Sequence, residues 1–590
     1  MLTYHDLINQ GQASLLSCLE AMLKGLPMDC SIAGYLTALP AFIIIGQLWT
    51  ARHWLVIVEK IYYGIISLLL AVIFCLDLKL YSYWGFRLDM TPVFYFTSSP
   101  KAALASATWL DAVTGIVAIV AATSLIYLVF ALIIRKIKVS PVKKVPATVV
   151  MVLLTAALFI PIRGGFTVSS MNLSRAYFSQ NQRLNHAAVN PAFSLMYSAT
   201  HQHNFGEQYR FMTAEEADSV LCDLYRSATT PATLPADSVP LLNNPRPDIY
   251  IVILESFSAH LMPSLGGEPI AMRLDSLARE GLSFTGIYAN SFRTDRGIPA
   301  ILSAFPGQPS MSIMKYVEKT EGLPSLPGEL KNAGYDLIYF YGGDANFTNM
   351  QAYLVNAGFE HIISDKDFAL KEKASKWGAH DNLLFDKVIA DVRSTAADAP
   401  PQLRVIQTSS SHEPFDVPYS NPVFSAEPEK NAFAFTDSCL FAFVDSLRVS
   451  PRFDRTLVVM VPDHQGCYPH SLDDVVSRHH IPLVMTGGAL NRKAMTDPVT
   501  GSQIDLAATL LDAMGLDSSA LPYSKDLLAD GPHFAVMADP SIITLVTPSD
   551  TIVYNCDASQ IISSGGGDTD TLRLRAEAFV QRLYDLIENL

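Results

Sequence analysis

The chain has 590 residues, half of them hydrophobic, with a mean hydropathy of +0.24 and a formal net charge of −14. That length is too great for one compact core and calls for several structural units. The acidic balance argues against a nucleic-acid-binding protein, and a chain at once this apolar and this acidic must keep the two kinds of residue in separate stretches.

The apolar excess lies in the first 165 residues. Uncharged or nearly uncharged runs at 31–49, 61–78, 112–134 and 147–162 approach the roughly 20 residues needed to cross a ~30 Å hydrocarbon core, and they predict four membrane spans. An earlier stretch, 7–26, contains Glu20 and Lys24 and reads as an interfacial helix or the remnant of a fifth span. The loop RKIKVSPVKKV carries Arg135, Lys136, Lys138, Lys143 and Lys144 without an acid, which marks it as cytoplasmic, and the short loop TARHW is basic too. With four spans, the Tyr- and Trp-rich loop at 79–110 and everything beyond residue 162 are expected outside the cytoplasm. The N-terminus MLTYHDLINQGQ lacks the basic region and apolar core of a cleavable signal, so the spans themselves are expected to anchor the chain. Seven cysteines occur without CxxC or metal-ligand spacing, leaving one or two disulfides or isolated buried thiols as alternatives.

Residues 166–246 read as a helical and Pro-rich linker, because TTPATLPADSVPLLNNPRP cannot continue a helix. From 247 the pattern changes. The apolar runs DIYIVILESF, YDLIYFYGGD, LRVIQTSSSH and RTLVVMVPDH alternate with helical stretches such as AMRLDSLAREGL and NAFAFTDSCLFAFVDSLR, which predicts an α/β domain over 247–515 with a mostly parallel sheet. Residues 516–590 read as a few strands, a flexible SSGGGDTDT turn and a terminal helix packed on that domain.

Each apolar run ends in a polar cluster. Ligands of open α/β sheets bind beyond the carboxyl ends of the strands, so Glu255, Asp344, His412, Asp463 and His464 are expected to converge there. Carboxylates and imidazole suit a divalent cation such as Mn²⁺, Zn²⁺ or Mg²⁺, and a hydroxyl beside such an ion is shifted toward its alkoxide. Thr294, in ANSFRTDRGIPAILSAFP, follows a strand-like run and precedes a helix-like one; it is either a helix cap or a nucleophile aimed at a phosphate. Arg293 beside it is a candidate phosphate contact. His479 or His480 is either a ligand or general acid or a residue packed before a buried strand, and neither is assigned to the site; Trp377 and Asp381 are either pocket or framework residues.

ILESF, the Thr in SFRTDRGIPAILSAFPG, YGGD with a later WGAHD, SSSH, VVMVPDH and RHHIPLVMTGG together resemble the sulfatase-like membrane phosphotransferases of bacterial envelopes, lipoteichoic acid synthase and phosphoglycerol transferases in particular. The resemblance implies a multi-span helical membrane domain followed by an extracytoplasmic alkaline-phosphatase/sulfatase-like α/β domain, at the bacterial cytoplasmic membrane. It implies one metal ion, usually manganese, on Glu255, Thr294, Asp463 and His464, with Thr294 also the nucleophile, His412 on the phosphate and Asp344 near the head group. The implied reaction moves glycerophosphate from phosphatidylglycerol to an envelope glycan or glycolipid through a covalent threonine intermediate. Phosphoethanolamine transfer on the same fold is the main alternative; a sulfatase or phosphodiesterase and a non-catalytic envelope-binding protein are the others. Two departures stand out. FYGGDANFTNMQAY has Tyr341 where lipoteichoic acid synthase has a His before the Gly-Asp pair, and it lacks the Trp and Arg that follow. Thr294 has Arg296 at +2 and Ile298 at +4 instead of the Pro and Arg of a formylglycine sulfatase, which disfavours sulfate-ester hydrolysis.

Overall fold

A computed structural model describes residues 14–590 except 51–52, 85–86, 91, 93–108, 137–142, 201–204, 228, 231–239, 467, 470–471 and 473. The chain folds as two compact units, Met1–His203 and Asn204–Leu590. The stretch 166–246 is divided between them: the helix Pro191–Thr200 belongs to the first and Ala214–Ser227 to the second.

In the first unit, α1 (Leu15–Trp49), α2 (His53–Trp84), α3 (Trp109–Lys136) and α4 (Lys144–Ala157, continuing through a short turn to Arg163) carry the four predicted spans, each long and apolar enough to cross a membrane. They expose apolar side chains such as Ile116, Val117, Leu125 and Leu153, a surface suited to lipid and costly in water. One expectation changes. Residues 15–26 do not form a separate interfacial helix but run without a break into the first span, so α1 has 35 residues and a length of about 52 Å. Residues 7–13 of that stretch, most of the 79–110 loop and residues 137–142 of the basic loop lie outside the described residues, as does Cys467. The six described cysteines are free thiols.

The second unit is built on an eight-stranded sheet. In chain order its strands are β1 (Asp248–Leu254), β2 (Leu282–Tyr288), β3 (Asp336–Tyr341), β4 (His361–Ile363), β5 (Gln402–Gln407), β6 (Thr456–Pro462), β7 (Leu483–Thr486) and β8 (Met495–Ser502). The spatial order is β4-β3-β5-β1-β6-β7-β2-β8, and only β7 runs antiparallel to its neighbours. The continuous apolar runs in the sequence follow from burial on both faces. Ile249, Ile251 and Ile253 of β1 point into one core with Leu403, Val405, Val459 and Val461, while Tyr250, Val252 and Leu254 point into another with Ile406, Val458 and Met460. The helix α5 (Thr294–Ser303) packs in the first core. The second is closed by α6 (Asp381–Ser394) and α7 (Pro428–Arg448), through Leu384, Phe385, Phe433 and Phe443.

Beyond the sheet, α8 (Asp505–Ala513) leads to a four-stranded antiparallel sheet of β9 (Ala535–Asp539), β10 (Ile542–Val546), β11 (Thr551–Asn555) and β12 (Gln560–Gly565), and the chain ends in α9 (Thr569–Asn589). The stretch expected to be a flexible turn is in part β12, which pairs along β11. The opposite end of the main sheet is locked by one ion pair. Asp248, at the start of β1, takes Arg452 through both oxygens at 2.7 Å and also accepts the Gln402 amide of β5 at 3.1 Å. Both side chains are buried, so removing one strands the other's charge. Asp248→Ala is expected to cost about 3–5 kcal/mol, read as a lower denaturant midpoint for the second unit.

Candidate metal and phosphate site

The parallel register sets the site. Leu254 of β1 lies beside Pro462 of β6, so the next residues, Glu255 and Asp463, leave the sheet side by side. Both are buried, and with His464 they offer ligand atoms within 4.8 Å of one another. The main chain turns sharply here: Ser256 adopts φ +62°, its amide donates to Asp463 Oδ1 at 3.0 Å, and its hydroxyl donates to Glu255 Oε1 at 2.7 Å. The His464 amide donates to the same Asp463 Oδ1 at 2.9 Å. The ring of His464 places Nδ1 at 2.8 Å from the Gln465 carbonyl, which fixes the proton on Nδ1 and leaves Nε2 as an open ligand.

Three observations say that this donor set fits a divalent cation. Asp463 Oδ2 is buried with no hydrogen-bond partner among the described residues. Glu255 is held well above the usual carboxylate range, first by burial and then by the Asp463 charge beside it. Two carboxylates and an imidazole nitrogen are the ligand chemistry of Mn²⁺, Zn²⁺ or Mg²⁺.

Thr294 meets this cluster from the other side. Its Oγ1 lies 3.4 Å from Glu255 Oε2 and 3.3 Å from His464 Nε2. It is the first residue of α5 and not its cap; Arg293 occupies the cap position with extended backbone, so the Thr294 hydroxyl is not used up on the helix's own amides. Gly297 permits the approach: a Cβ there would stand 2.1 Å from the Asp463 carbonyl oxygen. Asn290 and Gln503 tie the same parts together. The Asn290 amide donates to Gln503 Oε1 at 2.8 Å, and Gln503 Nε2 donates to the Asp463 carbonyl at 2.7 Å. Neither residue carries a recognisable sequence signal.

The site opens into a cavity of about 590 Å³ lined by Arg293, Thr294, Trp377, His412 and His464 among others. His412 places Nδ1 at 3.1 Å from the Glu413 carbonyl, and its ring packs at 4.2 Å from that of Trp377, whose indole also donates to Glu413. Burial pushes the His412 imidazole down, so it is neutral over an extended pH range. Of the expected residues, Glu255, Thr294, Asp463, His464, His412 and Arg293 are brought together around one space. Asp344 is not among the lining residues: it is buried, and its Oδ1 accepts from both the main-chain and side-chain nitrogens of Asn346 at 3.0 Å. Asp381 is framework, accepting from Ser409, Ser410 and Thr436 under the loop that carries His412. Neither His479 nor His480 joins the metal cluster; His480 places Nε2 at 2.7 Å from the Thr285 carbonyl.

Gly297→Ala is expected to cost about 1–3 kcal/mol of stability and to weaken divalent-cation binding, because α5 must move off Asp463. Unfolding curves and a cation titration check both; unchanged cation affinity would show that the contact does not position the site.

Comparison with known proteins agrees with the architecture. Residues 247–516 match the sulfatase family. Among curated proteins, phosphoglycerol transferase I of Xanthomonas campestris pv. campestris is 26% identical over 226 residues, 35% of this chain and 32% of that protein. A lipoteichoic acid synthase-like protein of Bacillus subtilis is 21% identical over 325 residues, 50% of this chain and 52% of that protein. The chain thus spans about a third to half the length of these relatives. Among solved structures, a protein of the alkaline phosphatase superfamily from Vibrio parahaemolyticus superposes with a TM-score of 0.56 at 25% identity, covering 65% of this chain and 98% of that one. The lipoteichoic acid synthase of Listeria monocytogenes does so with 0.53 at 16% identity, covering 64% and 99%. Residues 247–516, which match the sulfatase family, follow four apolar helices and are similar to phosphoglycerol transferases and lipoteichoic acid synthase-like proteins.

Proposed function

We propose that the protein is a membrane-anchored, metal-dependent phosphotransferase that moves glycerophosphate from phosphatidylglycerol to an envelope glycan or glycolipid through a covalent intermediate on Thr294. Phosphoethanolamine is the alternative group on the same machinery. The observation that carries the reading is the position of Thr294 Oγ1 between Glu255 and His464. A lipid donor suits four membrane-length helices on the same chain. The basic residues of 135–144, read by the positive-inside rule, support a second unit outside the cytoplasm, and the reading puts the protein at the bacterial cytoplasmic membrane.

Glu255, Asp463, His464 and Thr294 would hold the cation, which lowers the pKa of the hydroxyl and neutralises charge on the phosphoryl oxygens. Thr294 Oγ1 attacks phosphorus and the bond to the diacylglycerol oxygen breaks; that oxygen gains the proton Thr294 gives up. Arg293 and His412 flank the phosphoryl group from the cavity wall. In the second half an acceptor hydroxyl displaces Thr294, its proton passing to neutral His412 and back to the threonine oxygen. Trp377, Phe347 and Phe415 give the cavity an aromatic wall where the moving group sits.

Mass spectrometry of the protein after incubation with defined phospholipid vesicles is expected to show an adduct on Thr294 whose mass names the group. Thr294→Ala removes the adduct and lowers transfer by about 10³-fold or more. A folded, metal-loaded protein that forms no adduct with any phospholipid would sink the covalent reading. Cation binding is expected to raise stability by about 2.7 kcal/mol at a hundred times Kd. This gain shrinks as the pH falls through the raised pKa of Glu255, since protons compete with the cation for its carboxylate, and melts at several pH values with and without Mn²⁺ check the sign.

A further inference from the structure

The segment that runs into Trp377 carries a charge opposite to that of the unit it belongs to. Asn204–Leu590 holds 28 Lys and Arg against 49 Asp and Glu, a net charge of −21, yet Lys366, Lys371, Lys373 and Lys376 fall within eleven positions. The acids among them are held back against the main chain. Asp367 Oδ2 accepts the Ser364 amide at 2.9 Å, Glu372 Oε2 accepts the Ala369 amide at 2.7 Å, and Asp365 Oδ2 pairs with Lys373 at 3.6 Å. Lys366, Lys371 and Lys376 are exposed and make no hydrogen bond or ion pair among the described residues, so their longer side chains project past the acids.

Between these lysines stands Leu370, 88% exposed and the most exposed large hydrophobic side chain of this unit among the described residues. Phe368, two positions earlier, is buried in the core with Leu384 and Phe385 of α6, so the segment is anchored and still holds Leu370 out in water. Nor is the segment slack, because its two short 3-10 turns, Asp365–Asp367 and Leu370–Glu372, are each closed by their own acid. A lipid–water boundary satisfies this arrangement on both counts. The leucine enters the acyl region, and the lysines lay their apolar stems along it with the ammonium groups among lipid phosphates.

The segment is tied to the mouth of the cavity. The Trp377 amide donates to Ser375 Oγ at 3.0 Å, and its indole donates to the Glu413 carbonyl at 2.7 Å. Trp377 lines the cavity together with Phe347, ring centroids 5.6 Å apart, and Lys376 Nζ lies 6.0 Å from the Trp377 ring. We propose that residues 366–376 are a docking surface for an anionic phospholipid bilayer, in which Leu370 inserts and Lys366, Lys371 and Lys376 rest on the head-group phosphates, so that the cavity opens at the lipid surface. An acidic unit is otherwise repelled from such a surface, and four helices long and apolar enough to cross a membrane belong to the same chain. The proposal goes beyond the transfer reading, since it holds whichever group Thr294 carries.

Backbone hydrogen exchange of residues 366–376 in the full chain, reconstituted into phosphatidylglycerol or phosphatidylcholine vesicles, tests it. Exchange is expected to be about tenfold slower or more in the anionic vesicles, since each lysine at an anionic surface strengthens association about fivefold. That protection should fall at about 1 M salt, where the Debye length is about 3 Å. Leu370→Ser, and separately the triple change Lys366→Gln, Lys371→Gln and Lys376→Gln, should return the exchange to its rate in phosphatidylcholine with unchanged melting, because all four side chains are exposed. Equal exchange in the two lipids would overturn the proposal, and so would equally slow exchange in detergent, which would assign the protection to the loop itself. The measurement needs no turnover, so docking stands or falls independently of the Thr294 adduct; an adduct formed with no lipid-dependent protection would overturn the docking surface and leave the transfer chemistry in place.

Discussion

Two buried carboxylates that must share one place are the constraint around which this domain is arranged. Parallel pairing of β1 with β6 sets Glu255 against Asp463, whose Oδ2 has no hydrogen-bond partner among the described residues, and burial drives Glu255 toward its protonated form. Folding alone does not relieve that repulsion, since the amides of Ser256 and His464 and the Ser256 hydroxyl satisfy only part of the two groups. A divalent cation held there would, since it supplies the positive charge that two adjacent buried carboxylates call for. The left-handed backbone at Ser256 is the local cost of holding the two strand ends in that arrangement.

Everything near the site serves to bring Thr294 to this pair without filling the space. Gly297 lets α5 lie against the Asp463 carbonyl, and Asn290 with Gln503 ties the loop before Thr294 to the chain after β6. The C-terminal sheet, which lies beyond the residues that match the sulfatase family, is stitched to the same loop through Ala538 and supplies Asp539 to the cavity wall. Arg293, Thr294, His464, Arg478 and Asp539 all line the cavity, with Glu255 and Asp463 buried next to Thr294 and His464.

The parts of the site that were legible in the sequence are those in which one residue ends one apolar run. ILESF, VVMVPDH and SSSH are strands buried on both faces, so their polar termini mark the carboxyl edge of a parallel sheet before any distance is known. Thr294 was legible as a choice between cap and nucleophile, and the structure removes the cap by giving that position to Arg293. Asp344 satisfies the same rule, ending the β3 run, yet its carboxylate turns back onto Asn346, because a short polar side chain after a strand can close its own turn as readily as face a ligand. Arg478 opens RHHIPLVMTGG and Asp539 ends the β9 run, but they are 61 residues apart and nothing in the sequence pairs them.

By itself the sequence determined the division into apolar helices and an acidic α/β domain and the parallel sheet, and it singled out the candidate metal ligands, because hydrophobic period and the chemistry of strand ends are local properties. Tertiary structure decided which of the strand-end groups share one space, that α1 runs unbroken from Leu15 to Trp49, and that the C-terminal sheet completes the cavity. Those depend on strand register, on the room left by a glycine opposite a carbonyl, and on pairings between residues hundreds of positions apart, none of which leaves a periodic trace in the chain.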